Sequence, residues 1–416
     1  MADKEIQLIG ASAVISCNKH FEIIKNGGIL FSEDRILKVG DFSSMQSPKV
    51  KSKFYESCVI TPAFINPHIH FEFSDNTSTL NYGNFGVWLD SVMQKRDELF
   101  KDSQDSIKSA IKEVLRSGTA CVGAISSAGL DLEALSTSPL KVVYFNEIMG
   151  TNPARFEDIK EHFDERVKKA KLLENPRFKN AIALHSPYAL HNDLAEYALD
   201  KARKGKMLVS THFMESREEL IWLDYGKGYF KDFFKNNLGV ESARPFYTKR
   251  DFMELFSQVS TLFIHCLYLS NDDFEFLQRL DSEIISAPRS NRLLNNRYFD
   301  FFKAKDFRFK LILATDGKSS NNSLSLLDEG RCALFAYRKF DVNALAKEIM
   351  LGITRNIAKR FGFNNGSIER GKASDLAVFY VKDIAESKQV PLHFLLNARE
   401  AMDLYINGKR IDFETL

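Results

Sequence analysis

Cysteine is scarce in this 416-residue sequence, and its spacing excludes several classes of protein. The five cysteines are odd in number, and no two stand at the spacing of a zinc knuckle or a redox motif. We therefore expect buried, reduced thiols rather than a disulfide framework. They are Cys17, Cys58, Cys121, Cys266 and Cys332.

A surplus of charge of either sign is also missing. Lysine and arginine total 57, aspartate and glutamate total 55, and the formal net charge is +2. This balance gives no basic surface for nucleic acid or for an anionic membrane. The expected partner is therefore a small molecule.

Long apolar runs are absent as well. The run Ile6–Ile9 is too short for the core of a signal peptide or for a membrane-spanning helix. No fixed-period repeat is present either. Because 44% of the residues are hydrophobic and 12% are aromatic, the chain can bury a large core, and we expect a cytoplasmic globular protein.

Short strands are predicted at both ends of the chain. Turn residues such as Asn26-Gly27-Gly28 and Asn407-Gly408 separate them. We expect the two groups to share one small β-sandwich domain, formed by residues 1–57 and 366–416. The predicted strands are Ile6–Ile9, Ala13–Ser16, Ile29–Phe31, Ile36–Val39, Leu376–Tyr380, Leu404–Ile406 and Arg410–Ile411.

Between the ends, apolar runs alternate with amphipathic stretches such as Asp105–Arg116 and Phe156–Leu173. Eight runs separated by helices are typical of an α/β fold of the TIM-type (β/α)8 barrel class, which we expect over residues 58–365. The runs are Val59–Ile65, Ala120–Ile125, Val142–Phe145, Ala181–Leu184, Met207–Ser210, Leu262–Ile264, Ile284–Ser286 and Leu311–Ala314.

Candidate chemical residues stand where these predicted strands end. His68 and His70 are two residues apart on a strand, so both can reach one metal ion, although such a pair can also simply pack. A parallel barrel carries its active site at the carboxyl ends of its strands. The further candidates at such ends are His185, His212, His265 and Asp316.

Together these motifs resemble the amidohydrolase superfamily, in the branch that contains cytosine, guanine, adenosylhomocysteine and aminodeoxyfutalosine deaminases and the triazine hydrolases. They occur in the family's order along the whole predicted barrel. The matching segments are Pro62–His70, His185–Tyr188, Thr211–Glu215, His265-Cys266 and Thr315–Gly317, continuing to Asn322-Ser323.

The resemblance implies that His68, His70, His212 and Asp316 bind one divalent metal ion, Zn²⁺ or Fe²⁺. Such an ion lowers the pKa of bound water from about 15.7 to roughly 7. The binuclear branch carries a lysine on the fourth strand, and Ala181–Leu184 contains none. One metal ion is therefore expected.

The same resemblance assigns proton transfers. His265 would hydrogen-bond the attacking water, and Asp316 would take the proton that the water gives up. Glu215 would deliver protons to the ring nitrogen and then to the leaving amine. The alternative for Glu215 is a solvated carboxylate at the start of a helix.

Four further side chains are candidates for substrate binding. The resemblance places His185 against substrate. Trp88 is expected to line the base pocket or to pack in the core. Arg289 is expected to face an anionic substrate group or solvent. By resemblance, adenosylhomocysteine-type relatives carry a carboxylate just before the tryptophan, where this chain has Phe85-Gly86-Val87, so Glu147 is a possible substitute for ribose recognition.

The segments His70–Ser74, Asn291–Leu294 and Asn322–Glu329 look closest to aminodeoxyfutalosine deaminases. The resemblance implies conversion of 6-amino-6-deoxyfutalosine and water to futalosine and ammonia, within the route to menaquinone. The benzoate of that substrate would give Arg289 a partner.

Other functions stay open. They are deamination of adenosine, methylthioadenosine, adenosylhomocysteine or guanine, triazine dechlorination, and a non-catalytic barrel that only binds. The phenylalanine-rich helices also suggest a possible homodimer.

Overall fold

The computed structural model describes residues 6–74, 78–100 and 103–414. In this part of the chain, two seven-stranded sheets are present. The first combines both ends of the chain, in the order β14-β13-β12-β4-β1-β2-β3. Its strands are β1 Gln7–Ile15, β2 Ile23–Phe31, β3 Ile36–Asp41, β4 Lys51–Pro62, β12 Leu376–Tyr380, β13 Asp403–Ile406 and β14 Lys409–Arg410.

The predicted sharing of one sheet by the two chain ends is confirmed. Strand β4 pairs in parallel with β1 and antiparallel with β12, so it joins the N-terminal strands to the C-terminal ones. The predicted strands Ile6–Ile9 and Ala13–Ser16 belong to one strand that contains an irregularity between Ala11 and Ala13. The domain limits stay a prediction, and β4 runs across the predicted boundary at residue 57.

The second sheet is parallel throughout, and its strands follow the order of the sequence. Inward-facing side chains such as Ile65, Phe145 and Ile264 fill the barrel interior. The strands are β5 Phe64–Ile69, β6 Thr119–Ser126, β7 Lys141–Ile148, β8 Phe178–Leu184, β9 Val209–Phe213, β10 Thr261–His265 and β11 Ser282–Ile285.

The predicted strand Val59–Ile65 is divided between the two sheets. Residues 59–62 pair with β12, whereas the barrel strand begins at Phe64, whose backbone N–H donates to Gly118. An apolar run shows that a segment is buried but not which partner it pairs with. The prediction was therefore wrong about the start of the first barrel strand.

The eighth barrel position is a short bridging segment rather than a regular strand. Leu313 forms an isolated parallel bridge with Ser286, and the Ala314 N–H donates to the Ser286 carbonyl at 2.9 Å. On the other side, the Asp316 N–H donates to the His68 carbonyl at 3.1 Å. The segment thus lies between β11 and β5 and closes the ring.

Helices surround the barrel. In α2 the buried residues Ile107, Ala110, Ile111 and Val114 follow the i, i+3, i+4, i+7 spacing of an amphipathic helix. The helices are α1 Phe85–Leu99, α2 Ser103–Arg116, α3 Leu132–Thr137, α4 Phe156–Leu172, α5 Asn192–Gly205, α6 Arg217–Tyr225, α7 Tyr229–Leu238, α8 Lys249–Glu254, α9 Asn271–Arg279, α10 Pro288–Asn295, α11 Phe301–Asp306, α12 Leu326–Ala336, α13 Val342–Gly352, α14 Arg355–Phe361 and α15 Val390–Asn397.

The five cysteines are unpaired thiols, as predicted. Four are buried and Cys332 is half-buried. Burial raises the pKa of Cys332 to about 11, so this thiol is protonated at neutral pH. Among the described helices, none is long and apolar enough to cross a membrane.

Candidate active site

One end of the barrel carries the predicted chemical residues. His68 lies in β5, His212 in β9 and His265 at the last position of β10. Asp316 follows the bridging segment, and His185 follows β8. The structure brings these side chains together at the carboxyl ends of the strands, where parallel barrels place their sites.

Three of these groups converge on one point. The Nε2 atoms of His68 and His70 are 3.2 Å apart, and each lies 3.5 Å from Oδ1 of Asp316. The His212 ring lies 4.9 Å from that of His68 and 5.5 Å from that of His70, between centroids, and its Nδ1 donates to the His185 carbonyl at 2.8 Å, which leaves the lone pair on Nε2. Three imidazoles and one carboxylate form a donor set that suits Zn²⁺ or Fe²⁺.

Two of the imidazoles, those of His70 and His212, are held in the neutral form that a metal ion requires. Burial lowers the pKa of His70 to about 4, with a further contribution from His68. Burial also lowers the pKa of His212 well below its usual range. A neutral imidazole keeps a lone pair for coordination.

Asp316 is held as a carboxylate. Burial alone would raise its pKa, but the hydrogen bond to His68 and the electrostatic interactions with His68 and His70 hold that pKa well below its usual range. Hydroxyl groups of Ser290 and Ser320 donate to Oδ2 at 2.8 and 2.9 Å. The sequence did not single out these two serines, because nothing local marks them as partners of a distant aspartate.

Glu215 is a buried acid rather than a solvated one. It lies ahead of α6, is 5% exposed, and its Oε1 is 3.6 Å from Nε2 of His265. Burial, with the negative charge of Asp316, raises the pKa of Glu215 well above its usual range. The interpretation as a solvated helix-start carboxylate is therefore wrong.

The turn that presents Glu215 is anchored by a second buried carboxylate. Glu219 accepts the backbone N–H groups of Met214 at 2.8 Å and of Glu215 at 2.9 Å. Ser216 caps α6 by accepting the N–H of Glu219. Strand β9 therefore passes into α6 with the side chain of Glu215 facing the site.

His265 is oriented by an amide that the sequence did not assign. Its Nδ1 lies 2.8 Å from Oδ1 of Asn291, so Nδ1 carries the proton and Nε2 the lone pair. That Nε2 atom is buried, has no hydrogen-bond partner within the described residues, and faces Glu215 and Asp316. An unpartnered acceptor between two carboxyl groups is suited to a reacting water.

These side chains border a cleft that encloses about 910 Å³ including its open mouth. Trp88 and Glu147 border the same cleft, as do His185 and Glu215. The Trp88 indole N–H donates to the Ser319 carbonyl at 2.8 Å, so the ring is held against the wall of the cleft. Trp88 therefore borders the cleft, and its contact with a substrate base stays a prediction.

Glu147 presents an unsatisfied oxygen to the cleft. It is 2% exposed, and Ser127 donates to its Oε2 at 2.5 Å, whereas Oε1 has no hydrogen-bond partner in the described part of the chain. Ligand-type atoms of Glu147, His185 and His212 lie within 4.8 Å of one another. These three residues are a second place where an ion could bind.

Arg289 does not border the cleft, which corrects the expectation for that residue. Its guanidinium donates to Asn322 and lies 3.6 Å from Asp328, while its backbone N–H donates to Glu329. Its charge is therefore already compensated by protein groups. The resemblance could not reveal this, because the pairing depends on how α10 packs against α12.

Comparison with known proteins gives the family. The family model described as "Amidohydrolase family" matches residues 59–411. A protein named adenosine deaminase from Helicobacter pylori is 38% identical over 413 residues, which cover 97% of this chain and 99% of that protein. A protein named aminodeoxyfutalosine deaminase from a Nitratiruptor species is 39% identical over a match that covers 87% of this chain and 89% of that protein.

A solved structure is similar over nearly the whole length. It is Helicobacter pylori aminofutalosine deaminase in complex with methylthio-coformycin, with a TM-score of 0.93, 37% identity, and coverage of 98% of this chain and 100% of that chain. The two curated names differ in substrate, but both describe deaminases.

Proposed function

We propose that this chain, which belongs to the amidohydrolase family, is a hydrolytic deaminase that converts 6-amino-6-deoxyfutalosine and water to futalosine and ammonia. The observation that carries the proposal is the buried meeting of three histidines and one aspartate beside Glu215, whose pKa burial raises. The Nitratiruptor relative and the solved Helicobacter structure support the substrate. On this proposal the chain acts in menaquinone biosynthesis.

We propose that His68, His70, His212 and Asp316 hold one divalent metal ion, Zn²⁺ or Fe²⁺. The lowered pKa values of His70 and His212 and that of Asp316 support this assignment. When bound, such an ion makes water nucleophilic at neutral pH and stabilises negative charge on oxygen.

The chain's own groups would move the protons. Glu215, whose pKa burial raises well above its usual range, donates a proton to the ring nitrogen as oxygen attacks the adjacent amidine carbon. Nε2 of His265 accepts a hydrogen bond from the attacking water, and Asp316 accepts the proton that this water loses. Glu215 then passes the proton of the newly added hydroxyl group to the exocyclic amine, the carbon–nitrogen bond breaks, ammonia leaves, and the proton held by Asp316 returns to Glu215.

Substrate contacts are assigned on the same basis. Trp88 would pack against the purine ring, and His185 would hydrogen-bond it. The unsatisfied Oε1 of Glu147 would accept from a ribose hydroxyl, since a buried acceptor without a partner costs free energy until one is supplied. Glu147 would in this way replace the carboxylate that relatives carry where this chain has Val87.

A second candidate is deamination of adenosine or 5′-methylthioadenosine. It is favoured by the name of the Helicobacter relative and by the methylthio-coformycin in the solved structure. A barrel that only binds is not favoured, because each predicted ligand is present and the four side chains lie side by side.

We also propose a cytoplasmic location and a homodimer. The sequence suggested a dimer from its phenylalanine-rich helices, but Phe230 and Phe234 of α7 are buried in the chain's own core. Sedimentation of the purified protein would test the dimer directly.

Ammonia release by the metal-loaded protein tests the function. We expect 6-amino-6-deoxyfutalosine to be preferred over adenosine, 5′-methylthioadenosine, adenosylhomocysteine and guanine. A chelator should abolish turnover, and Zn²⁺ or Fe²⁺ should restore it.

Metal analysis should give one ion per chain, and two ions would point to a second site formed by Glu147, His185 and His212. Preference for another purine would overturn the substrate.

The variant Glu215→Gln tests the role of Glu215 as the proton donor. It keeps the shape of the side chain but removes its proton, so we expect kcat to fall about 10²- to 10⁴-fold with metal content unchanged. Glu218→Gln is the matched control, because Glu218 lies outside the cleft and accepts from Asn84 at 2.8 Å. Equal activity of both variants would remove Glu215 from the mechanism.

A further inference from the structure

The cleft is bordered by a cationic side chain, that of Arg96, which the proposed chemistry does not use. Arg96 lies in the last turn of α1, is exposed, and lines the same cleft as the metal ligands. Among the described side chains it has no ion-pair partner, whereas its neighbour Lys95 pairs with Glu98 at 3.0 Å. Arg289, the arginine singled out in the sequence, is paired and lies outside the cleft.

An apolar wall connects the ligand cluster to Arg96. The ring of His70 lies 6.2 Å from that of Phe73, and Phe73 lies 5.0 Å from Phe100, between ring centroids. The Arg96 guanidinium carbon is 5.9 Å from the Phe100 centroid. Leu89, Val92 and Met93 border the same cleft. Such a wall has no hydrogen-bonding group for a sugar and favours a flat apolar group.

We propose that Arg96 is a carboxylate-binding subsite at the outer end of this apolar wall. A guanidinium binds a carboxylate with two parallel hydrogen bonds, and none of the described carboxylates engages this one. The substrate this predicts has an aromatic or aliphatic arm that ends in a carboxylate. The benzoate of 6-amino-6-deoxyfutalosine has this composition, so the inference rests on the proposed function and deepens it.

Two purely structural roles for Arg96 make different predictions. A cation in the last turn of a helix interacts favourably with the helix dipole, and a guanidinium near an aromatic ring gains a cation–π contact. Both roles would affect the stability of α1 and would not depend on which ligand is bound. A carboxylate subsite, in contrast, changes only the binding of ligands that carry the carboxylate.

Calorimetry can measure the affinities of futalosine, which carries the benzoate arm, and of inosine, which lacks it. This comparison needs no turnover. We expect Arg96→Gln to weaken futalosine binding about tenfold, the loss of one charge-assisted interaction at a partly exposed site, and to leave inosine binding unchanged. Arg96→Lys should retain part of the preference. Lys95→Gln, which removes a like charge from the same turn, is the matched control and should match the wild type.

Turnover supplies the second readout. For Arg96→Gln we expect kcat/KM to fall about tenfold for 6-amino-6-deoxyfutalosine and to stay unchanged for 5′-methylthioadenosine. An equal fall for both substrates, or no preference of the wild type for futalosine over inosine, would overturn the subsite. If the wild type binds futalosine through Arg96 but does not deaminate 6-amino-6-deoxyfutalosine, the proposed function fails and the subsite stands.

Discussion

At the scale of single residues, non-glycine residues at three turns around the site have left-handed backbone conformations. Met214, His265 and Asp316 have φ angles of +51°, +72° and +61°. A conformation of this kind costs on the order of 1 kcal/mol or more for a residue with a side chain. Each lies where a strand or the bridging segment ends. The packing around the site stabilises these conformations, which turn the chain at the points where reacting groups are presented.

The contact between Asn291 and His265 leads to a prediction about rate rather than binding. In Asn291→Ala the imidazole loses the acceptor that fixes its orientation. We expect kcat to fall about 10- to 100-fold, the usual cost of losing a partner that orients a functional histidine, with KM and metal content nearly unchanged. Steady-state kinetics with metal analysis measure this.

Asn295→Ala supplies the control for that experiment. Asn295 lies one turn later in α10 and does not border the cleft. If both variants lose the same fraction of kcat, or if only KM rises, Asn291 does not orient His265.

At the scale of elements, the loop that follows β6 is held by a buried carboxylate. Glu72 accepts the backbone N–H groups of Ser127 at 2.7 Å and of Leu130 at 2.8 Å. It also accepts from Ala128. Ser127 in turn donates to Glu147. The segment after β5 therefore positions the side chain that we assign to ribose recognition.

Asp131 at the end of this loop predicts an unusual pH dependence of stability. Burial, followed by the charge of Glu72, raises the pKa of Asp131 to about 8, and Tyr144 donates to it at 2.8 Å. In the folded protein, Asp131 therefore keeps its proton at pH values where the same carboxyl in the unfolded chain, with a pKa of about 4, has lost it. This contribution to stability is fully present below about pH 4 and is lost as pH rises towards about 8.

The variant Asp131→Asn removes that titration. Between about pH 5 and 8, the free energy of unfolding of the wild type should fall relative to that of Asp131→Asn by roughly 1 kcal/mol for each pH unit. Urea unfolding at several pH values measures this difference in unfolding free energy. The control is Asp158→Asn, because Asp158 is exposed. A pH-independent difference between wild type and Asp131→Asn would contradict the raised pKa.

At the scale of the whole molecule, a buried ion pair joins the barrel to the terminal sheet. Nζ of Lys141 in β7 lies 2.5 Å from Oδ2 of Asp375, with the two side chains 3% and 1% exposed. Asp375 also accepts from Asn365 at 3.1 Å and from the backbone N–H of Asn407 at 2.9 Å. The C-terminal strands are therefore fixed to the barrel by a charge that has little access to water.

Breaking this pair should be costly. Lys141→Met leaves a buried carboxylate without its cation, and we expect the free energy of unfolding to fall by about 3–5 kcal/mol. Lys53→Met should cost less than about 1 kcal/mol, because Lys53 is 56% exposed and its partner Asp403 keeps Arg410. Denaturant unfolding measures the loss of unfolding free energy in both variants. Similar losses in Lys141→Met and Lys53→Met would mean that the buried pair does not couple the domains.

Much of this architecture was predictable because its signals are local. Strand β12 has the predicted bounds Leu376–Tyr380, and α4 differs from its predicted range by one residue at its end. The alternation of apolar runs with amphipathic stretches also gave the barrel. Predictions failed where two segments far apart in sequence had to pair. Residues 59–62 joined the terminal sheet, and residues 311–314 bridged two strands without forming a regular one.

The sequence by itself determined which residue types stand at the carboxyl ends of the barrel strands, because strand periodicity and chain order fix those positions. Only the tertiary structure decided what surrounds them. It set the amide of Asn291 against His265 and buried Glu215 beside Asp316. It also brought Arg96 rather than Arg289 to the cleft, with no partner among the described carboxylates. These outcomes depend on side chains that meet across long separations in sequence, where hydrogen bonding, burial and charge pairing are set by packing.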